Sequence, residues 1–457
     1  MGDKTFHIAL YPWFAMGHLT SFLHLSNKLA ERGHKITIFI PSKTLHKLEQ
    51  FNIHQDLITL IPIIVPHVEG LPLGAETTAD VSYPLQSSLM TAMDKTQPTI
   101  ESSLQELKPH FIFFDFAHWV PSLARSLGIK SIHYCTISSA ATGYLIRDGD
   151  KYQNKKLTEA DLMEPPHGFP PSSMIKIYAH EARHLVGASE KEYGKDISFS
   201  DRLFIAFSDC DAIAFKTCRE MEGLYCDYLE NHFKRPILLA GPVVPEPPTT
   251  TLEEQWAKWL DGFKPNTVIF CAFGSECMLK KDQFQELVLG LELTGLPFLA
   301  ALKPPLGADN IESALWEGFK ERNQGKGVVH GGWIQQQLIL GHPSVGCFVT
   351  HCGFESLSES LVNECQLVLL PRVSDQIINA RLMGRDLKVG VEVEKGEDGA
   401  FTKDTVCKAI LSVIEVDSKV GKEVRENHAK FRELLLRKGL ENSCIGEFIQ
   451  KLHGLLQ

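Results

Sequence analysis

The chain has 457 residues, of which 44% are hydrophobic and 22% charged, with a formal net charge of −10. This length exceeds one ordinary core and predicts two or three domains of a globular, water-soluble protein. The acidic balance excludes a nucleic-acid binder that relies on a basic surface, and the 11 scattered cysteines resemble neither a disulfide framework nor a zinc-type CxxC pair.

The N-terminal stretch MGDKTFHIALYPWFAMGH carries a short apolar run broken by Pro12, unlike a signal peptide. No uninterrupted apolar segment is long enough for a bilayer, so no membrane insertion and a cytoplasmic location are expected. His7–Tyr11 reads as a buried strand, followed by a Gly17-His18 loop, a helix that Gly33 terminates, and a second strand at Lys35–Ile40. The alternation continues through Leu57–Val65, a helix near Thr99–Leu107, His110–Asp115, a helix at Val120–Leu127, and Ser131–Tyr134. Asp211–Phe215 and Ile237–Ala240 close this half. Such βα alternation predicts a parallel, doubly wound sheet with ligands at the carboxyl ends of its strands.

A proline-rich stretch over 241–250 reads as a linker. Beyond it the alternation restarts at Thr267–Ala272, then Asp282–Leu293 as helix, Phe298–Leu302, Val328–Val329, Val345–Val349 and Gln366–Leu370. The tail from Val420 is helical in pattern. Domains are therefore expected at 1–240 and 251–435, with residues 436–457 as a terminal helix. Two α/β halves predict a ligand cleft between them.

Several motifs bear on chemistry. His18 follows the first strand, and Asp115 ends the apolar run Phe111–Phe114, where a carboxylate is costly unless paired. Parallel strands can bring the two to one rim, where the carboxylate would orient the imidazole as a general base. Val345–Thr350 runs into His351-Cys352-Gly353 and a helix-like segment, a strand–turn–helix suited to an anion. Ser356 adds a hydroxyl and Glu359 an acceptor for vicinal sugar hydroxyls; Trp333 precedes this unit and Asp375-Gln376 follows it. Two competing patterns are weaker. His180-Glu181-Ala182-Arg183-His184 has zinc-hydrolase spacing but no third ligand, and reads as a solvent-facing helix. Asp148-Gly149-Asp150 and Asp209-Cys210-Asp211 match a short Asp-x-Asp metal pattern yet supply too few oxygens for a hard cation.

Trp333–Gln376 closely resembles the signature box of plant UDP-sugar-dependent glycosyltransferases: W-x-x-Q, then H-C-G-W-N-S-x-x-E, then D-Q. The likeness extends to Gly17-His18, Phe114-Asp115-Phe116, Ala240-Gly241-Pro242 and Phe273-Gly274-Ser275. It implies the α/β GT-B fold: two Rossmann-like doubly wound domains facing a cleft, with a C-terminal helix crossing back to the N-terminal domain. The resemblance also implies residue roles. Trp333 would stack on uracil, the Ile334 backbone would read its edge, and Gln336 and Glu359 would hold the ribose. His351, Gly353, Ser356 and the helix N-terminus would hold the diphosphate, with Ser275 approaching from another loop. Asp375 and Gln376 would bind the donor sugar, with Thr136 nearby, and His18 with Asp115 would be base and partner. Two positions depart from the pattern. Phe354 stands for the family's Trp and Glu355 for its Asn, and a carboxylate beside a diphosphate is repulsive unless it points away or is compensated.

The stretches YPWFAMGHLTSFLHLSNKLAERGH, FFDFAHWVP and GGWIQQQLILGHPSVGCF resemble the branch-forming subgroup that elongates sugars on flavonoids and anthocyanins. The implied activity is inverting, metal-free transfer from a UDP-sugar to the sugar of a flavonoid or anthocyanin 3-O-glycoside, 1→2 linked. UDP-glucose is favoured, with UDP-xylose and UDP-rhamnose as options, and no cofactor beyond this co-substrate is expected. A monomer acting on two small molecules follows. Three alternatives stay open: transfer directly to an aglycone, a catalytically silent UDP-sugar binder suggested by Glu355, and a zinc hydrolase at residues 180–184.

Overall fold

The computed structural model describes residues 5–147, 157–242, 250–274, 277–415 and 417–457. Asp148, Gly149, Asp150, Ser275 and most of the linker lie outside the described residues.

The first half builds a parallel sheet from β1 (His7–Tyr11), β2 (Lys35–Pro41), β3 (Ile58–Ile63), β4 (Phe111–Phe114), β5 (Lys130–Cys135), β6 (Ala212–Phe215) and β7 (Ile237–Leu239). Their order is β3-β2-β1-β4-β5-β6-β7. The second half builds another from β8 (Val268–Ala272), β9 (Phe298–Ala301), β10 (Gly327–His330), β11 (Val345–Thr350), β12 (Gln366–Leu369) and β13 (Gly390–Glu392), ordered β10-β9-β8-β11-β12-β13. Strands buried on both faces need continuous apolar runs, which FIFF of β4 and VGCFVT of β11 supply. Pro62 sits in β3 because that strand lies at the sheet edge, where a missing N–H is tolerated.

In each sheet the winding reverses between two neighbouring strands, β1/β4 in the first and β8/β11 in the second. Loops leaving the carboxyl ends on either side of such a reversal diverge and open a crevice. His18 and Asp115 follow β1 and β4, while Gly274 and His351 follow β8 and β11. The winding therefore sends all four toward a crevice.

The last helix, Leu440–Leu455, returns to the first sheet. Its Ile445, Phe448, Ile449 and Leu452 join Ile8, Phe113, Ala212 and Leu238 in one buried cluster, and Lys451 Nζ donates to the Ile237 carbonyl at 2.7 Å. A second apolar cluster spans both halves, containing Tyr144, Phe169 and Ile177 together with Ile377, Ile378 and Leu382. Such a shared apolar seam resists separation of the two sheets. Among the described residues, no helix is long and apolar enough to cross a membrane.

β11 contains a close backbone approach. Its pairing with β8 shifts register between Val345 and Cys347, and a Cβ on the intervening Gly346 would run into the Asn266 carbonyl. Backbone cannot yield as a side-chain tip can. Gly346→Ala is expected to lower unfolding free energy by about 1–3 kcal/mol, the usual range for overpacking, as read from the urea midpoint.

Candidate active site

The first wall of the cleft starts at β1. The helix Met16–Ala30 opens two residues before His18, so the imidazole sits in its first turn. Asp115 follows β4 and is 3% exposed. Its Oδ1 accepts from the backbone N–H groups of Trp13 (2.8 Å) and Phe116 (2.6 Å), and its Oδ2 lies 2.7 Å from His18 Nδ1. A carboxylate held this way can only accept, so Nδ1 carries the proton and Nε2 keeps a lone pair. Thr136 Oγ1, just beyond β5, lies 3.2 Å from the same Nδ1. Neighbouring His133 is fully enclosed; burial lowers it to about 4, so it adds no charge beside the dyad at neutral pH.

His18 and Asp115 open on a cavity of about 830 Å³, whose wall also includes Phe116, Leu145, Phe199 and Phe204. Ser374 and Asp375 come into the same cavity from the second half. The Phe199–Asp209 helix that forms part of this wall is anchored by Arg202, which is fully buried. Its guanidinium donates to Asp94 Oδ2 (2.6 Å) and Oδ1 (3.0 Å) and to the Phe116 carbonyl (3.1 Å). A planar five-donor group suits this many acceptors better than an ammonium would. The local start signals are Ser198, whose Oγ accepts from Asp201 N–H, and Thr158 with Asp161 in a capping box.

The opposite wall is the Trp333–Gln376 stretch. Trp333 is 79% exposed, so it is a surface indole and not a core one. Ile334 is buried. Gln336 Nε2 donates to Glu359 Oε2 at 2.7 Å and lies 3.2 Å from Ser356 Oγ, while Gln337 Nε2 donates to Glu359 Oε1 at 3.0 Å. Burial pushes the Glu359 carboxyl up, and these two amides offset part of that.

Thr350 ends β11, Cys352 takes a left-handed φ of 68°, and Gly353 starts the Phe354–Leu361 helix without a side-chain cap. Its first N–H groups therefore face outward without partners from a cap. His351 lies against Gly274 and Gly353: a Cβ on Gly353 would collide with the imidazole, and one on Gly274 would press tightly against it. Burial lowers His351 to about 4, with a hydrogen bond to the Ala272 backbone acting in the opposite direction. At neutral pH it is thus a hydrogen-bonding group and not a cation. Phe354 is a buried filler, 5% exposed. Glu355 is compensated: its Oε2 is 2.6 Å from Lys216 Nζ, a lysine just after β6 in the first half. Burial acts to raise the Glu355 carboxyl, but the Lys216 ammonium, aided by a hydrogen bond from Ser21, outweighs it and holds the group below its usual value.

Asp375 and Gln376 open the helix Asp375–Arg381, preceded by Ser374 at a strained φ of 49°. Gln376 Oε1 accepts from the backbone N–H groups of Arg372 (3.1 Å) and Val373 (3.2 Å), which fixes its amide. Burial raises Asp375 to about 6. Two residues that motif reasoning missed hold this corner. Asn379, 0% exposed, donates to Asp375 Oδ2 (3.0 Å) and to the Cys352 carbonyl (3.1 Å), and accepts from Ser138 Oγ of the first half at 2.6 Å. The only available signal was Asn379 standing four residues after Asp375, hence on the same helix face.

The structure corrects the reading of residues 180–184. They do lie on a helix, Ala179–Ser189, with Arg183 and His184 on its solvent face, but Glu181 is on the inner face, 4% exposed. Its Oε1 is 2.7 Å from an Arg381 nitrogen and its Oε2 accepts from Tyr178 N–H at 3.0 Å, so the carboxylate is committed and unavailable as a hydrolytic base. The compensating cation is 200 positions away, beyond any local pattern. Asp211 likewise serves structure, accepting from Ser131 N–H (2.9 Å) and Lys130 Nζ (3.1 Å). Among the described residues, no group of three or more His, Cys, Asp or Glu side chains is arranged to hold a metal ion.

Residues 313–425 match the family described as UDP-glucoronosyl and UDP-glucosyl transferase. The chain is 63% identical over 457 residues to a cyanidin 3-O-galactoside 2''-O-xylosyltransferase of Actinidia chinensis var. chinensis, covering 100% of both. It is 56% identical over 459 residues to an anthocyanidin 3-O-glucoside 2''-O-glucosyltransferase of Ipomoea nil, again covering 100% of both. In fold it is similar to Glycyrrhiza uralensis UGT73P12 complexed with glycyrrhetinic acid 3-O-monoglucuronide, with a TM-score of 0.82 at 20% identity, covering 99% of this chain and 96% of that one. With two facing parallel sheets and full-length relatives far above 30% identity, the chain belongs to the UDP-glycosyltransferase family and has the GT-B fold.

Proposed function

We propose that this UDP-glycosyltransferase extends the sugar of an anthocyanin or flavonoid 3-O-glycoside, forming a 1→2 linkage with inversion. The carrying observation is the His18–Asp115 pair at 2.7 Å, opening on a cavity that Asp375 enters from the other half. The two full-length relatives, named for 2''-O-transfer to glycosides, support the acceptor class. Since one is named a xylosyltransferase and the other a glucosyltransferase, the donor is a UDP-pentose or UDP-hexose.

In this reading Trp333 stacks on the uracil, Ile334 meets its edge through the backbone, and Gln336 and Glu359 bind the ribose. The Gly353 turn, His351, Ser356 and the open N–H groups of the Phe354–Leu361 helix receive the diphosphate. Asp375 and Gln376 bind the donor sugar, with Thr136 at its edge. His18 Nε2 takes the proton of the acceptor hydroxyl as that oxygen bonds to the anomeric carbon, and the bond from that carbon to the diphosphate oxygen breaks. The helix N-terminus stabilises the charge that develops on departing UDP. The enzyme works as a cytoplasmic monomer without a metal, and nucleic acid is not a partner. Domain boundaries at 240 and 250, with a crossing helix from 436, accompany this reading.

The direct test pairs UDP-glucose, UDP-xylose and UDP-rhamnose with cyanidin 3-glucoside, a flavonol 3-glucoside and the free flavonol, read by mass spectrometry. Products one sugar heavier should arise from the glycosides; product from the free flavonol alone would overturn the acceptor assignment. His18→Ala should lower kcat by about 10²–10⁴-fold while UDP affinity holds. Trp333→Ala should instead weaken UDP binding about tenfold, the range of one base–aromatic stack, in calorimetry.

A pH effect follows from Asp375. Raised by burial to about 6, it accepts hydrogen bonds from sugar hydroxyls above that pH and is protonated below it. The donor KM is expected to rise as pH falls through about 6, and Asp375→Asn should abolish that inflection. The sign for stability runs the other way. The folded form binds this proton more tightly than the unfolded chain, so the contribution of Asp375 is greatest at low pH and lost as pH rises toward 6.

A further inference from the structure

Glu355 occupies the first turn of the helix whose N-terminus receives the diphosphate in the reading above. An acid there is ordinarily favourable to the helix, but it competes with a bound anion for the same positive end. Lys216 Nζ meets this carboxylate at 2.6 Å, and the lysine side chain is only 1% exposed. A buried ammonium persists when a partner offsets its desolvation, which Glu355 does.

The other groups facing Glu355 do not replace Lys216. Ser21 and His24, from the Met16–Ala30 helix, face the same carboxylate. Ser21 is neutral, and burial lowers His24 to about 4, so at neutral pH it carries no charge. Tyr134 and Glu359 also feel Glu355, the one neutral and the other acidic. Ser21 also hydrogen-bonds this carboxylate, but among the described residues the ammonium on Oε2 is the cation paired with it.

We propose that Lys216 is a positioning residue for the donor diphosphate, acting through Glu355. Its ammonium neutralises the carboxylate that replaces an amide in the signature box, and ties the diphosphate helix to the half that carries His18. Without it, an uncompensated carboxylate faces the incoming diphosphate. The pair is thus a donor-affinity device supplied from the acceptor side of the cleft. This inference rests on the proposed diphosphate site at the Phe354–Leu361 helix.

Calorimetry of the full chain with UDP and with uridine separates charge from structure, because uridine lacks the phosphates. Lys216→Met should weaken UDP binding at least about tenfold and leave uridine binding unchanged. Glu355→Gln alone should tighten UDP about threefold or more, and the double variant should return to within about threefold of the wild type. UDP binding unchanged in Lys216→Met, equal losses for UDP and uridine, or a double variant as weak as the single one would each overturn the proposal. Should Lys216→Met fail to fold, Glu355→Gln decides: tighter UDP binding supports the proposal, and unchanged or weaker binding sinks it. Wild-type protein that binds UDP no better than uridine would overturn the diphosphate site itself.

Discussion

The buried amide of Asn379 is the point on which the geometry of the cleft depends. Its two N–H groups hold the Asp375 carboxylate and the Cys352 carbonyl, and its oxygen takes the Ser138 hydroxyl from the other half. Each polar atom of that amide is thereby satisfied in a site with no solvent, which is the condition for a buried polar group to favour one arrangement strongly. One side chain thus sets the helix bearing Asp375, the turn bearing His351 and Gly353, and the first half relative to one another. Ser138 also caps its own helix by accepting from Ala141 N–H at 3.0 Å, so the hydroxyl is itself fixed on both sides.

Around this amide lies a seam of charged contacts between the halves. Arg381 reaches Glu181 at 2.7 Å and also pairs with Glu392. Asp386 accepts from Ser173 Oγ at 2.9 Å, from Met174 N–H at 2.7 Å, and from Tyr225. Breaking one partner of such a buried pair leaves the other uncompensated, at a cost of about 3–5 kcal/mol. The Asp375–Arg381 helix continues into a π-type turn at Leu382–Asp386, so successive residues of one short segment meet different parts of the first half. The seam is polar and specific, and the apolar cluster beneath it supplies the bulk of the cohesion.

The electrostatics on the donor side are economical. Burial keeps His351 neutral, and the only ion pair formed by Glu355 among the described residues is with Lys216. In the proposed reading, the oriented backbone N–H groups of the Phe354–Leu361 helix supply positive potential that needs no reorganisation when charge develops on the leaving diphosphate. Across the cavity, Asp115, with one oxygen held by two backbone N–H groups, turns its other oxygen to His18, the proposed base. Neutral His133 leaves that pair undisturbed.

Much of the fold was legible because strands, glycine turns and helices obey local rules. The run FIFF ending in an aspartate, and the strand–turn–helix at Val345–Leu361, point to a cleft between two wound sheets before any coordinates are known. The described parts of residues 140–200 were illegible, since they are held by distant partners, as Asp386 holds Ser173 and Met174. The same distance hid the inner face of residues 180–184: helical spacing and the exposed Arg183 and His184 were visible, but the arginine that pairs with buried Glu181 was not. The sequence by itself determined the two α/β halves, and it pointed to the His18–Asp115 pair and to Trp333–Gln376 as the proposed donor stretch. Only the tertiary structure decided that Lys216 answers Glu355 and that Asn379 joins three elements. The physical reason is range: periodicity and capping act over a few residues, whereas compensation of a buried charge depends on whichever partner the fold brings within about 3 Å.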